Sequence, residues 1–322
     1  MNGAPSRVTG TQDVHGTLVS FDLDATLVSG LDDVLLRYPC ATIADGPRLS
    51  FSADRGAPQP CMAPRTFFFG ALDGSTTPDA FTLASEDVRV DLSLPRRHVH
   101  AVATHASHDL RMGGLVALSI ALRLDGLHHL HAAAATTAAG TRVLLVGGSG
   151  SGKTTTLLGL VSAGAQPTAD DVVFLQRRSN GSPRALGHPR TYHLTPRTLA
   201  RFPHLAHARI EGIAMPPKIA IDPRLVPELA GPTALEAIDV IVFPRVAGGR
   251  TTARALPAAE AFGTLLAQSA FGVLPGAPGL REQLDLLAAL IERGRCIELS
   301  LAEDALTQPA ILGALIDRAR TT

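Results

Sequence analysis

Val143-Leu144-Leu145-Val146-Gly147-Gly148-Ser149-Gly150-Ser151-Gly152-Lys153-Thr154 is the stretch that decides the fold. Its apolar opening reads as a buried strand. From Gly147 onward it is a complete G-x-x-x-x-G-K-[ST] pattern, and Thr156-Leu157-Leu158-Gly159-Leu160-Val161 continues it as a helix. In that strand–loop–helix setting glycines let backbone N–H groups turn inward around phosphates. The lysine reaches the β- and γ-phosphates and the threonine hydroxyl ligates Mg²⁺. The helix starting at Lys153 aims its positive dipole end at the same anion. The expectation is a nucleoside triphosphate site with Mg²⁺, ATP being the nucleotide expected and a preference for ATP over GTP left open. It comprises Gly147, Gly148, Ser149, Gly150, Ser151, Gly152, Lys153, Thr154 and Thr155.

Downstream, a helix from Thr154 to about Ala163 carries the chain ~15 Å from the phosphates. Gly164 suits the left-handed cap that ends it. Ala165-Gln166-Pro167-Thr168-Ala169 then runs extended into Asp170-Asp171, recovering ~20 Å. The two carboxylates therefore return to the end of the sheet that bears the loop. One of Asp170 and Asp171 can complete the Mg²⁺ shell with Thr154, and the other can accept a proton from an attacking hydroxyl. The same pair would also serve as a turn or a helix cap.

Upstream, Ala132-Ala133-Ala134-Ala135-Thr136-Thr137 leads to a turn at Ala138-Ala139-Gly140. A hairpin centred near Ala139 sets His131 across from Gly147, at the mouth of the loop. An imidazole there can donate to a phosphate or orient a carboxylate. The neighbouring His128 and His129 are equally compatible with an ordinary surface histidine.

His131, the hairpin, Gly147 to Thr154, Gly164 and Ala169-Asp170-Asp171 together resemble the catalytic core of HPr kinase/phosphorylase, over about residues 131–175. In that family a histidine precedes the loop at similar spacing, and a Gly and then Ala-Asp-Asp follow the lysine. The resemblance implies an α/β core of the HPr kinase C-terminal-domain type. It makes Lys153 the phosphate ligand, Thr154 the Mg²⁺ ligand, Asp171 the proton acceptor, Asp170 its neighbour near the metal and His131 the active-site histidine.

More loosely, Leu130-His131-Ala132-Ala133, His188-Pro189-Arg190 and Val242-Phe243-Pro244-Arg245 are similar to divergent HPr-kinase-like proteins. Those are encoded beside genes for ribosomally made, modified peptides, and some phosphorylate a serine of a precursor such as a lasso peptide. Arg245, after a predicted strand, is then a candidate transition-state cation; a structural surface arginine fits it as well. The family's Glu-Ile-Arg-Gly signature is missing, and Ile210-Glu211-Gly212 is the nearest fragment. Neither a metal role for Glu211 nor the reverse, phosphorylase reaction is expected.

Composition bounds the rest. A chain of 322 residues with zero formal net charge shows no electrostatic footprint for nucleic acid or a membrane surface. The apolar stretch from about Leu110 to Leu130 is interrupted by Arg111, Arg123 and Asp125, so it reads as a core helix rather than a membrane span. Met1-Asn2-Gly3-Ala4-Pro5-Ser6-Arg7 has no signal-peptide core, and Cys40, Cys61 and Cys296 form neither a disulfide framework nor a zinc motif. A cytoplasmic protein is expected. The only lysines are Lys153 and Lys218. Lys218 therefore invites a phosphate role beside the simpler one of a solvated lysine.

Residues 1–105 read as a β-rich N-terminal domain, with alternating stretches at Thr17 to Phe21, Arg65 to Phe69 and Val88 to Leu94, and this domain is a candidate for substrate recognition. Residues 106–322 read as a mixed α/β catalytic domain. Its later elements are a strand at Ile238 to Phe243, helices at Pro257 to Ala270 and Gly279 to Arg293, a strand at Cys296 to Leu299 and a closing helix at Ala302 to Arg318. Phe21-Asp22-Leu23-Asp24 imitates a haloacid-dehalogenase nucleophile motif, but the Pro-rich sequence that follows does not suit that fold. The expected activity is transfer of the γ-phosphate of ATP to a Ser or Thr hydroxyl of a peptide or small protein. Alternatives are a small-molecule kinase and a nucleotide-binding regulator without transfer activity. Oligomeric state, a homo-oligomer included, is left open.

Overall fold

The structure, a computed structural model, describes residues 6–41, 45–60, 64–211, 218–269 and 276–321. Met1 to Pro5, Cys61, Gly212 and Ala270 lie outside them. The chain is mixed α/β with several sheets, divided into two compact units: Met1–Leu127 with Leu274–Gly279, and His128–Val273 with Leu280–Thr322.

The first unit is built on one sheet: β1 (Arg7–Val14), β2 (Thr17–Asp24), β3 (Arg48–Arg55), β4 (Phe67–Phe69), β5 (Leu72–Thr77), β6 (Ala80–Ala84), β7 (Val88–Ser93) and β8 (His98–Ala103). Their order is β1-β2-β3-β8-β7-β6-β5-β4. A short helix, α1 (Val28–Leu31), follows β2, and α2 (His108–Leu122) packs on β7 and β8. Strand alternation is clean: Val88, Val90 and Leu92 are buried while Arg89, Asp91 and Ser93 turn outward, as a sheet covered on one face requires. α2 is buried almost all round, which keeps it with this unit, so the compact division falls after Leu127 rather than at 105/106. Asp22 is paired with Arg7 at 2.8 Å and Asp24 caps the backbone N–H of Thr26 at 2.9 Å, so both carboxylates of the dehalogenase-like motif have structural partners. No helix of the described residues is long and apolar enough to cross a membrane.

The second unit carries β9 (His128–Leu130), β10 (Ala132–Thr136), β11 (Arg142–Val146), α3 (Lys153–Ser162), β12 (Gln166–Ala169), β13 (Val173–Arg177) and β14 (Pro183–Gly187). β15 (Tyr192–Leu194), α4 (Pro196–Arg201), β16 (Arg209–Ile210), β17 (Ile219–Ile221), β18 (Ala234–Leu235), β19 (Val240–Val246) and β20 (Thr252–Ala255) come next. Last are α5 (Ala258–Ala267), α6 (Leu280–Arg293), β21 (Arg295–Leu301), α7 (Asp304–Thr307) and α8 (Ala310–Thr321). The single closing helix expected over Ala302 to Arg318 is broken instead, because Pro309 lacks the N–H needed to carry α7 into α8.

The central sheet runs β12-β10-β11-β19-β21-β20, with β11, β19 and β21 parallel. Its side chains sort by parity. Val143, Leu145, Val240, Val242, Ile297 and Leu299 pack beneath α3 and α8, whereas Leu144, Val146, Ile241 and Phe243 pack against α5, α6 and the β18-β14-β13-β9 sheet. Both faces are therefore covered, which is why these strands read as continuous apolar runs.

Candidate functional site

β11 ends at Val146 inside the sheet, flanked by β10 and β19, so the glycine-rich loop leaves from a fixed edge. Gly152 sits at φ +105°, and a Cβ there would lie 2.6 Å from Leu301 Cδ1, so only glycine fits. α3 starts at once, its first bond running from the Thr156 N–H to the Gly152 carbonyl at 2.8 Å. The Lys153 side chain is buried and folds back over the loop. Its ammonium donates to the carbonyls of Gly147 at 2.6 Å and Gly148 at 3.2 Å, and to Nε2 of His131 at 2.9 Å.

The β10–β11 register pairs Ala132 with Val146, which carries His131 level with Gly147. His131 Nδ1 lies 2.9 Å from the Asp171 carbonyl. A carbonyl only accepts, so Nδ1 carries the proton and the lone pair of Nε2 faces Lys153. Burial, seconded by Lys153 and opposed by Asp171, lowers the pKa of this imidazole and favours its neutral form.

β12 pairs antiparallel with β10, Ala169 opposite Ala134, and so delivers Asp170 and Asp171 to the loop. The two carboxylates have different environments. Asp170 is buried and accepts from the Thr154 hydroxyl, 3.0 Å from each oxygen. Burial, and then the charge of Asp171, push its pKa upward. One carboxylate and one hydroxyl at a phosphate-loop motif are a donor set that suits Mg²⁺, an ion that binds few protein oxygens and completes its shell with water and phosphate. A buried carboxylate facing a second one also favours a cation at that spot. Among the described residues no three or more His, Cys, Asp or Glu form a metal-binding group.

Asp171 is at φ +72°, and the Val172 N–H reaches back to the Asp170 carbonyl at 2.9 Å, closing a three-residue turn around it. Its carboxylate receives Arg190 Nη1 at 2.8 Å and stands 3.2 Å from His131 Nδ1. Burial alone would raise its pKa, but Arg190, His131 and Lys153 outweigh burial and hold it well below the usual carboxylate range. Strained backbone of this kind concentrates where a side chain must be aimed.

Arg190 is the residue that sequence reasoning left without a role. It is buried, and its one visible signal was its place in His188-Pro189-Arg190, where a buried arginine calls for an anionic partner. Lys218 also arrives here, Nζ 3.4 Å from Ser149 Oγ, so both lysines of the chain line one cavity. Thr155 bonds Thr198 of α4 at 3.2 Å. Gly147 and Gly148 do not line the cavity; they serve through the carbonyls that hold Lys153.

Arg245 is not brought to the loop. It shares strand parity with Ile241 and Phe243, opposite the α3 face, and its guanidinium meets Glu298 at 3.4 Å beside Arg254. Glu211 is exposed and outside the cavity lining.

The cavity measures about 330 Å³, with His131, Lys153, Thr154, Asp170, Asp171 and His193 on its polar side. No model of a known family matches the chain, and no curated protein matches it either.

Proposed function

We propose that this protein is a P-loop kinase of the HPr-kinase-like type, transferring the γ-phosphate of ATP to a hydroxyl of a peptide or small protein. The observation that carries the reading is the division of labour between adjacent carboxylates. Asp170 turns to Thr154 at the start of α3, and Asp171 is aimed by Arg190 and His131 at the same cavity. The peptide acceptor rests on the resemblance of residues 131–175 to HPr kinase/phosphorylase. The same reading places the protein in the cytoplasm, where ATP is supplied.

In this reading the loop amides and the start of α3 bind the β- and γ-phosphates. Lys153, whose three N–H groups are held by two carbonyls and His131, exchanges carbonyl contacts for phosphate oxygens as nucleotide enters. Thr154 and Asp170 would hold Mg²⁺, which neutralises charge building on the phosphates. The acceptor oxygen attacks in line, forming the new O–P bond as the γ-phosphorus to β-bridging-oxygen bond breaks. ADP leaves with that electron pair, and the hydroxyl proton passes to Asp171. Asp171, aimed by Arg190 and His131, would orient the hydroxyl as well as take its proton, and positioning supplies most of the rate.

The test is intact-mass spectrometry of candidate peptides, beginning with those encoded beside the gene, after incubation with the protein, ATP and Mg²⁺. One added phosphate, absent with Asp171→Asn, supports the proposal. ATP binding without transfer to peptides or small molecules would replace it with a nucleotide-dependent regulator.

A further inference from the structure

The cavity does not end at the phosphate loop. Leu301 Cδ1 and Val246 Cγ2 lie 2.6 and 3.6 Å from the position of a Cβ on Gly152, so an aliphatic wall begins where the loop closes. Ala302, Leu306 and Leu312 extend it. Parity explains the arrangement: Val246 and Leu301 are on the α3 side of the sheet, whereas Arg245 and Ser300 alternate away from it.

The wall is held in place by bonds between the loops that follow β19 and β21. The Ala247 N–H donates to the Leu301 carbonyl at 2.8 Å and the Ala302 N–H to the Thr251 hydroxyl at 3.0 Å. The Thr251 N–H in turn donates to Asp304 Oδ1 at 3.0 Å. β19 and β21 run parallel to β11, so their C-terminal loops and the glycine-rich loop open at the same edge of the sheet, where such sheets bind ligands.

We propose that this aliphatic half is a base subsite, which takes the heterocyclic ring of the nucleotide whose phosphates occupy the glycine-rich loop. The proposal rests on reading that loop as a triphosphate site. A nucleotide has one charged end and one flat, weakly polar end, and the cavity offers surfaces of those two kinds in one continuous space. Aliphatic walls grip ring faces and do not read ring edges. The carboxylate at the rim, Glu303, is engaged by Arg197 at 2.9 Å and by Arg201. Adenine and guanine nucleotides therefore bind with affinities within about tenfold of each other.

Calorimetric titration of the full chain with the Mg²⁺ complexes of ATP, GTP and inorganic tripolyphosphate tests this. Both nucleotides should bind at least about tenfold more tightly than tripolyphosphate. Ala302→Leu, which fills the slot, should erase most of that advantage and leave tripolyphosphate affinity within about twofold. Leu306→Ser, at a half-buried position, should act in the same direction with less risk to folding. Tripolyphosphate binding as tight as ATP, or nucleotide affinity unchanged in both folded variants, would overturn the base subsite and leave the loop reading standing. If neither ATP nor tripolyphosphate binds, both readings fall.

Discussion

His131 donates its Nδ1–H to the backbone carbonyl of Asp171 at 2.9 Å, although the Asp171 carboxylate oxygen stands only 3.2 Å away. The ring thereby supports the turn that aims the carboxylate while its other nitrogen steadies Lys153. His131→Ala should remove both supports. We expect phosphate transfer to fall about 10–100-fold, with ATP affinity changed less than about threefold. His131→Asn keeps one donor and should retain more activity. Steady-state kinetics beside equilibrium ATP binding separates the two effects, and an equal loss in both would make His131 a nucleotide ligand.

Arg190 is buried against Asp171, so its removal takes from a partly buried carboxylate the cation that pairs with it at 2.8 Å. Arg190→Met should lower unfolding free energy by about 1–3 kcal/mol, below the full value for a buried pair because Asp171 is partly exposed. The double variant with Asp171→Asn should recover part of that loss. Urea unfolding of the four proteins of the cycle measures the coupling, and an additive result would mean that the pair contributes nothing.

The two lysines should behave differently. Lys153→Ala should abolish transfer, because its ammonium is enclosed by the loop. Lys218 is exposed and touches only Ser149 among the loop residues, so Lys218→Ala should raise the KM for ATP about three- to tenfold, with Lys218→Arg close to wild type. Initial-rate kinetics across ATP concentration decides between a phosphate contact and an idle surface charge.

Acid sensitivity should appear away from the site. Asp239 accepts from the backbone N, Nε and Nη2 of Arg142 at 2.9, 2.9 and 2.6 Å, and these bonds, against partial burial, keep its pKa below the usual value. A depressed folded-state pKa adds stability above the unfolded value, about 3.9, and that stability is lost as pH falls through the folded value. Asp239→Asn should thus cost about 1 kcal/mol at pH 7, Arg142 being partly solvated, and progressively less as pH falls below about 3.9. Urea midpoints at neutral pH and in that acid range test the sign.

Much of this architecture is legible in the chain. The Ala138-Ala139-Gly140 turn, with Gly140 at φ +82°, fixes the hairpin register, whereas the alanine run, buried on both faces, does not distinguish one register from the next. Helix length and strand rise return the aspartates to the loop for the same metric reason. What escaped was non-local. Arg190 reaches Asp171 only after β13 and β14 have paired, a contact that no local pattern encodes. Arg245 looked available because it follows a strand, but counting parity from Phe243 sends it to the far face. Pro309 was readable as a helix break, yet the apolar periodicity around it concealed the interruption.

Asp171 is also a point of local frustration. Its turn asks for a left-handed backbone, which glycine adopts freely, while the proposed chemistry asks for a carboxylate, which glycine lacks. Two variants that are equally inactive should therefore differ in stability. Asp171→Gly should melt above Asp171→Ala by the equivalent of about 1 kcal/mol, since both lose the charge and only one relaxes the turn. At this position the backbone and the proposed chemistry ask for different residues.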